Sequence, residues 1–359
     1  MTRGAANGRA GPGVLLVATD LSTGGGVNRV IRDLAVLFKT RLGMDVAVVA
    51  ARGEGNSTYP FPPDVPLEQY PRQSLISYFQ LLLRLRRRRP GFVIGSWTQD
   101  NILIALAFLL SSTKTVLVEH TSWHFHPPLI RLLRRLVYPL AWRVIVLNPA
   151  EQNHYASYLR NVRLIPNPVA TGASSQKTAR EKLILAVGHL EPRKNFADAI
   201  RAMALSRLES DGWSLAIIGS GPETEHLGAL VDELGLERTS IHTATADLQS
   251  WYARSSLTLV TARVEVFSLV LAEAMLAGVV PIAYATDGPS FILEDFPDHL
   301  VDIGDVDGLA ERLTRFATTQ DNDALRRKLR AAIETRFSVD VIAEEWRELV
   351  CSGAAVKRR

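Results

Sequence analysis

Short runs of aliphatic and β-branched residues alternate along this chain with longer segments whose apolar positions recur every three to four residues. That alternation is the mark of βαβ units and parallel sheets. In the first half it predicts strands at Val14–Ala18, Val46–Ala50, Phe92–Ser96, Thr115–Glu119, Arg143–Leu147 and Val162–Ile165. Helices fit between them, from Asn28, Gln73, Asn101, Leu129 and Ala150. Pro166-Asn167-Pro168 then forbids helix, because two proline rings fix their own φ and push the preceding residues out of the helical region. The polar stretch 171–181 reads as a linker. The pattern restarts with strands at Leu183–Val187, Ser214–Ile218, Ser240–His242, Leu257–Val260 and Val280–Ala283, and helices from Asn195, Glu223, Leu248 and Leu269. Three helical segments, from Asp307, Asp321 and Asp340, follow; the last carries Ile342, Trp346 and Leu349 at helical spacing, suited to packing back on the first domain.

The expected organisation is therefore a flexible tail (1–13), a Rossmann-like domain (14–170), a linker (171–181), a second Rossmann-like domain (182–335) and a C-terminal helix with a basic tail (336–359). Two doubly wound α/β domains facing one another leave an interdomain cleft along the carboxyl ends of their sheets, where ligands of open α/β sheets bind. The length of 359 residues suits two cores, and 47% hydrophobic with 22% charged residues excludes a disordered or collagen-like chain. Cys351 is the single cysteine, so neither an internal disulfide nor a cysteine-based zinc site is expected, and a reducing compartment fits. The longest uncharged apolar stretch, Asn101–Thr113, is shorter than the roughly 18–20 residues needed to cross a bilayer. A cytoplasmic protein is the expectation, peripheral on the membrane at most.

Charge refines the picture. The 41 basic and 37 acidic residues give a net charge of +4, with the surplus uneven: Arg84, Arg86, Arg87, Arg88 and Arg89 cluster, and Arg131, Arg134 and Arg135 follow. An anionic partner, including an anionic membrane surface at Arg84–Arg89, should meet the first half. No aromatic-interleaved module accompanies these arginines, so no nucleic acid is expected.

Several turns could carry chemistry. Gly24-Gly25-Gly26 follows the first strand and precedes a helix, where it either merely connects the two or lets the backbone approach an anionic ligand. It is not a P-loop, and no acidic residue stands at a Rossmann ribose position. His120 ends an apolar strand, the place for a side chain in the ligand crevice, though a structural histidine bonding a carbonyl is the alternative. His124 and His126 read as loop histidines. Gly188, His189, Arg193 and Lys194 lie between a strand and the helix from Asn195, and cations at a helix N-terminus suit a diphosphate. In Glu265-Val-Phe-Ser-Leu-Val-Leu-Ala-Glu273, one carboxylate sits in a loop and the other inside an apolar helix, where a charge is costly unless paired or liganded. Two such carboxylates can accept hydrogen bonds from two hydroxylated parts of one ligand while the amides of Phe267, Ser268 and Leu269 point at its phosphate.

Taken together, Glu265-x7-Glu273 followed by Ala-Met-Leu-Ala-Gly, Gly-Ser-Gly-Pro-Glu at 219–223, Ile-Pro-Asn-Pro-Val at 165–169, Val-Gly-His-Leu-Glu-Pro-Arg-Lys-Asn-Phe at 187–196, the early Gly-Gly-x-x-Asn-Arg-Val and Glu119-His120 resemble the retaining GT-B glycosyltransferases of family 4. The likeness runs from about Val14 to Leu349. It implies that Glu273 holds the ribose hydroxyls of a nucleotide-sugar donor, Glu265 lies near the sugar's O3 and O4, and Lys194 meets the diphosphate with help from the amides of Phe267, Ser268 and Leu269. It also implies that His120 stands beside the transferred sugar and that Gly25 and Gly26 lie near the reacting centre. Two departures stand out: His189 replaces the family's usual arginine after the glycine, so that either Arg193 supplies the second cation or the leaving group is held less firmly, and Ser268 stands where glycine is common. Asp287-Gly288-Pro289-Ser290 resembles a Gly-Pro-Ser turn of transferases that build bacterial surface polysaccharides, which favours a UDP-sugar.

The implied function is transfer of a hexose, with retention, to a hydroxyl of a glycan, a lipid-linked sugar or a cell-surface polysaccharide. No cofactor is required by this arrangement; magnesium on the nucleotide is compatible with it and not predicted. The rival functions are a sugar-nucleotide epimerase of the same fold and a non-catalytic nucleotide-sugar-binding subunit.

Overall fold

The computed structural model describes residues 13–22, 25–51, 57–71, 74–170, 180–245, 247–318 and 323–355. The tail 1–12, Gly24 and most of the expected linker, 171–179, lie outside the described residues. The chain divides into two compact units, Met1–Pro168 with Ala343–Arg359, and Val169–Ile342.

The first unit runs β1 (Val14–Ala18), α1 (Gly26–Thr40), β2 (Val46–Ala50), β3 (Leu67–Gln69), α2 (Leu75–Arg86), β4 (Phe92–Gly95), α3 (Thr98–Ala107), β5 (Lys114–Val118), α4 (Pro128–Val137), β6 (Arg143–Val146), α5 (Pro149–Ala156) and β7 (Val162–Leu164). Its strands form one parallel sheet in the order β3-β2-β1-β4-β5-β6-β7. β1 and β2 are buried at every position, which is why they read as continuous apolar runs: a parallel sheet is covered on both faces. Trp346, buried, meets the edge of the Phe38 ring at 5.1 Å, so the chain's last helix supplies part of this unit's core.

The second unit runs β8 (Leu183–Val187), α6 (Phe196–Ser206), β9 (Ser214–Ile218), α7 (Thr224–Glu233), β10 (Thr239–His242), α8 (Leu248–Arg254), β11 (Leu257–Val260), α9 (Leu269–Leu276), β12 (Val280–Tyr284), α10 (Asp287–Ile292), β13 (Leu300–Val301), α11 (Val306–Thr318), α12 (Asp323–Phe337) and α13 (Val339–Ala355), the last passing into the first unit. Its sheet, again parallel, has the order β10-β9-β8-β11-β12-β13. Both orders reverse direction once, beside β1 and β4 and beside β8 and β11, so each unit is a doubly wound Rossmann-like sheet with one switch point.

The periodic segments match the elements to within a few residues. β3 and β13 were not foreseen, because three and two residues at a sheet edge carry too little of a pattern to register. Asp287-Gly288-Pro289-Ser290, read as a turn, instead opens helix α10, with the proline in the first turn where its missing N–H costs nothing.

Candidate functional site

In the second unit the switch point is physically open. β8 and β9 pair over five residues, whereas β8 and β11 pair only at Ile184 with Leu257 and Leu185 with Thr258; the buried Thr258 hydroxyl then takes the Leu185 carbonyl at 2.8 Å. Beyond that point each strand runs into a separate loop, and these loops carry the residues singled out in the sequence.

After β8 comes Gly188, then a single 3-10 turn, Pro192–Lys194, closed by Asn195 in the left-handed region at φ 54°. Asn195 tolerates that conformation because its short amide bonds locally, here donating to Asp198 Oδ2 at 2.5 Å. The Tyr284 hydroxyl donates to the same oxygen at 2.7 Å. The turn is stitched to the segment after β11: the Arg263 amide donates to the Arg193 carbonyl at 2.9 Å, and Thr261 Oγ1 to the Lys194 carbonyl at 3.2 Å. Lys194 Nζ thereby comes within 2.5 Å of Glu265 Oε2 although the two are far apart in sequence. Beside them, Gly219 and Gly221 pass against the backbone of Gly188 and Leu190; a Cβ on either would collide with a carbonyl oxygen, so glycine is obligatory there.

Glu265 opens the loop into α9. Gly288 closes over this loop, its amide donating to the Glu265 carbonyl at 2.8 Å, and a Cβ at Gly288 would sit 2.8 Å from that oxygen and from the Phe267 nitrogen. Phe267 buries its ring edge-on against Phe337 at 5.4 Å, leaving its backbone as the part able to meet a ligand. Ser268 is the N-cap of α9, its hydroxyl accepting from the Leu271 amide at 3.4 Å. This accounts for a serine where glycine is common in the resembled family: both are favoured N-caps. The first intrahelical bond runs from the Ala272 amide to the Ser268 carbonyl, so the amides of Leu269 and Val270 have no acceptor within the helix, and an anion there is favoured by geometry and helix dipole alike. One and a half turns on, Glu273 is 5% exposed among apolar neighbours and accepts from the Tyr252 hydroxyl at 3.1 Å. His189 and Arg193 are exposed, and Arg193 Nη2 lies 2.6 Å from Glu191 Oε1.

Gly25, Gly26 and His120 belong to the first unit. Gly25 caps α1 and Gly26 is its first residue. His120 follows β5; its Nε2 is buried with no hydrogen-bond partner among the described residues, and burial pushes its pKa from 6.5 down to about 4, so the ring is neutral at neutral pH. Glu119 beside it is saturated: Arg134 and Asn101 each donate at 3.0 Å, Thr98 at 3.1 Å, and the Tyr138 hydroxyl as well. Its carboxylate therefore ties the end of β5 to α3 and α4, and His120 is the member of the pair with unused capacity.

Sequence reasoning missed Tyr252, which no spacing connects to Glu273, and Glu151. The latter, on α5, accepts from the Trp123 amide at 3.2 Å, and burial pushes its pKa from 4.5 up to about 7. A carboxyl whose folded pKa is raised adds stability below pH ~4.5 and loses it as pH rises through 7. Glu151→Gln should remove that loss: relative to the parent protein, the variant gains about 2 kcal/mol between pH 5 and pH 8.5. Urea unfolding at the two pH values measures it, and an equal difference at both would contradict the burial effect.

The family described as glycosyl transferases group 1 matches residues 172–336, and glycosyltransferase family 4 matches residues 24–172. The chain is 36% identical over 191 residues to an exopolysaccharide phosphotransferase of Streptomyces coelicolor, a match covering 52% of this chain and 20% of that protein. Over 357 residues it is 24% identical to the amylovoran biosynthesis glycosyltransferase AmsD of Erwinia amylovora, covering 94% and 99% of the two chains. The crystal structure of Anabaena HepE in complex with UDP shares the fold, with a TM-score of 0.76 at 19% identity over 94% of this chain and 99% of that one.

Proposed function

We propose that this chain, a glycosyltransferase of the GT-B fold, moves a hexose from a UDP-sugar to a glycan or lipid-linked hydroxyl with retention at the anomeric carbon. The observation that carries the donor assignment is the convergence of Lys194, Glu265, the α9 amides and Glu273 on the open switch point of one sheet. UDP is preferred because HepE is described in complex with it. The Gly288 contact with the Glu265 loop supports the same choice, since it gives the Gly-Pro-Ser segment a place at the site.

On this assignment Glu273 accepts from both ribose hydroxyls, and the Tyr252 hydroxyl holds the carboxylate in place. Lys194 and the amides of Phe267, Ser268 and Leu269 meet the diphosphate, with Gly188 allowing close approach and Arg193 adding a cation. Exposed His189 is free to follow the outer phosphate. Glu265 has two duties: it holds Lys194 by the ion pair and offers its other oxygen to the sugar's O3 and O4. His120, neutral through its burial, is assigned to the transferred sugar as a hydrogen-bonding group, and Gly25 and Gly26 to the reacting centre.

The bond from the anomeric carbon to the phosphate oxygen breaks as the acceptor oxygen bonds on the same face, and the acceptor's proton passes to the departing oxygen. Positive charge on Lys194 and the α9 dipole stabilise the negative charge that develops there. None of these steps needs a metal. The test is the anomeric configuration of the product by proton NMR, run with and without chelator: retention at an unchanged rate is expected, and an inverted product would overturn the mechanism. Within the Arg84–Arg89 cluster, Arg88 is held by Glu68, one bond at 2.9 Å, and Arg86 donates to the Ala107 carbonyl, while Arg84, Arg87 and Arg89 are exposed to meet an anionic surface.

A further inference from the structure

The Lys194–Glu265 pair is braced from both sides, and both braces come from one short segment. That segment joins the end of β12 to the start of α10, from Tyr284 to Gly288. On the Glu265 side, the Gly288 amide donates to the Glu265 carbonyl at 2.8 Å. On the Lys194 side, the Tyr284 hydroxyl donates at 2.7 Å to Asp198 Oδ2 in the first turn of α6, and the same oxygen takes the side-chain amide of Asn195 at 2.5 Å. Asn195 closes the turn that carries Lys194. Because β11 lies between β8 and β12 in the sheet, the tyrosine reaches past one strand to meet the turn that follows the other.

Neither polar residue is the simplest that the fold would accept. Tyr284 is fully buried, and a phenylalanine would fill the same space with no hydroxyl to desolvate. Asn195 holds φ at 54°, a conformation that glycine adopts at no steric cost. Asp198 is 3% exposed, and its other oxygen meets the solvent-facing Arg201 at 3.2 Å. An acid in the first turn of a helix suits the dipole by itself and needs neither of its two inner partners for that. What Tyr284, Asp198 and Asn195 add together is a fixed separation between a strand end and the Lys194 turn. Lys194 in turn ends on Glu265, whose loop is held from the same segment, so a shift of either brace moves the ion pair.

We propose that Tyr284, acting through Asp198 and Asn195, is a positioning residue for Lys194, and that with Gly288 it sets where the ammonium and the Glu265 carboxylate stand relative to the second phosphate of the nucleotide. The proposal rests on the assignment of Lys194 to the diphosphate and adds to it the residues that hold Lys194 in place.

The test is calorimetric titration of the full chain with UMP and with UDP, beside a melting curve. Free UDP carries on its second phosphate the charge that a bound donor acquires only as its bond breaks, so the ratio of the two affinities reads the Lys194 contact. The ribose contact of Glu273 is common to both nucleotides and cancels. The parent protein should bind UDP at least about tenfold more tightly than UMP, as one added hydrogen bond between charged groups implies. Tyr284→Phe, which keeps the ring, and Asn195→Gly, which keeps the left-handed turn, should each lower that ratio by roughly three- to tenfold with UMP affinity unchanged, because they loosen the contact without removing it. In a Lys194→Ala background the same two changes should leave the ratio as it is. An unchanged ratio in either folded variant, a parallel loss of UMP affinity, or the same loss with Lys194 absent would overturn the proposal while UDP binding leaves the donor site standing. Equal affinity of the parent protein for UMP and UDP, or binding of neither, would overturn the donor-site reading and the proposal with it.

Discussion

If Glu273 holds the ribose as proposed, Glu273→Ala should abolish tight binding of the nucleotide-sugar and leave the fold intact. Two ribose hydroxyls would lose their acceptor, at about 1–3 kcal/mol each, so affinity for UDP should fall by roughly 10–10⁴-fold. The fold should survive because alanine suits a buried helix position with Leu271, Ala272, Ala274 and Met275 around it, and the change removes a buried polar group. The local cost is the Tyr252 hydroxyl, which loses a partner. Calorimetric titration with UDP, beside circular dichroism and a melting curve, checks both halves. Normal affinity in a folded variant would remove Glu273 from the site.

Lys194→Ala should act on a different quantity. Charge on the leaving diphosphate grows as the glycosidic bond breaks, so a cation placed there is worth more in the transition state than in the bound donor. We expect kcat to drop by about 10²–10³-fold with a much smaller change in KM, the range typical of removing one such group. The ion pair with Glu265 adds a second consequence. Without Lys194, Glu265 loses the cation 2.5 Å away, so a Glu265→Gln change on top of Lys194→Ala should cost less than it does alone. Steady-state kinetics on the two single variants and the double variant read this out. Strict additivity would mean that the pair does not act as a unit.

How much of this could be read from the sequence follows from where each signal is stored. Strands such as Val14–Ala18 and Leu183–Val187 were legible because a parallel strand covered on both faces must be an uninterrupted apolar run. Glu273 stood out because an acidic side chain in an apolar helix is out of place, and it is buried there. The partnerships that shape the site were not, because they depend on which strand ends adjoin. The Lys194–Glu265 pair exists only because β8 and β11 are neighbours at the switch point, and Tyr252 finds Glu273 only through packing of α8 against the sheet. Gly288 looked like part of a turn; its closeness to the Glu265 loop is a contact across the tertiary fold. Both arginine groups named from the sequence fall in the first unit, but how each side chain is engaged was not legible: Arg88 is held by Glu68, and Arg131, Arg134 and Arg135 line a concavity beside α4.

The central claim is that one site, anchored by Glu265 and Glu273, binds and cleaves a nucleotide-sugar. The most direct measurement is release of nucleoside diphosphate from UDP-, GDP-, ADP- and dTDP-sugars by the purified protein, with Glu265→Ala/Glu273→Ala as control. Release from the UDP-sugar, lost in the double variant, is the expected result. Release that persists in the double variant, or comes from a donor other than a UDP-sugar, would contradict the site or the donor assigned to it.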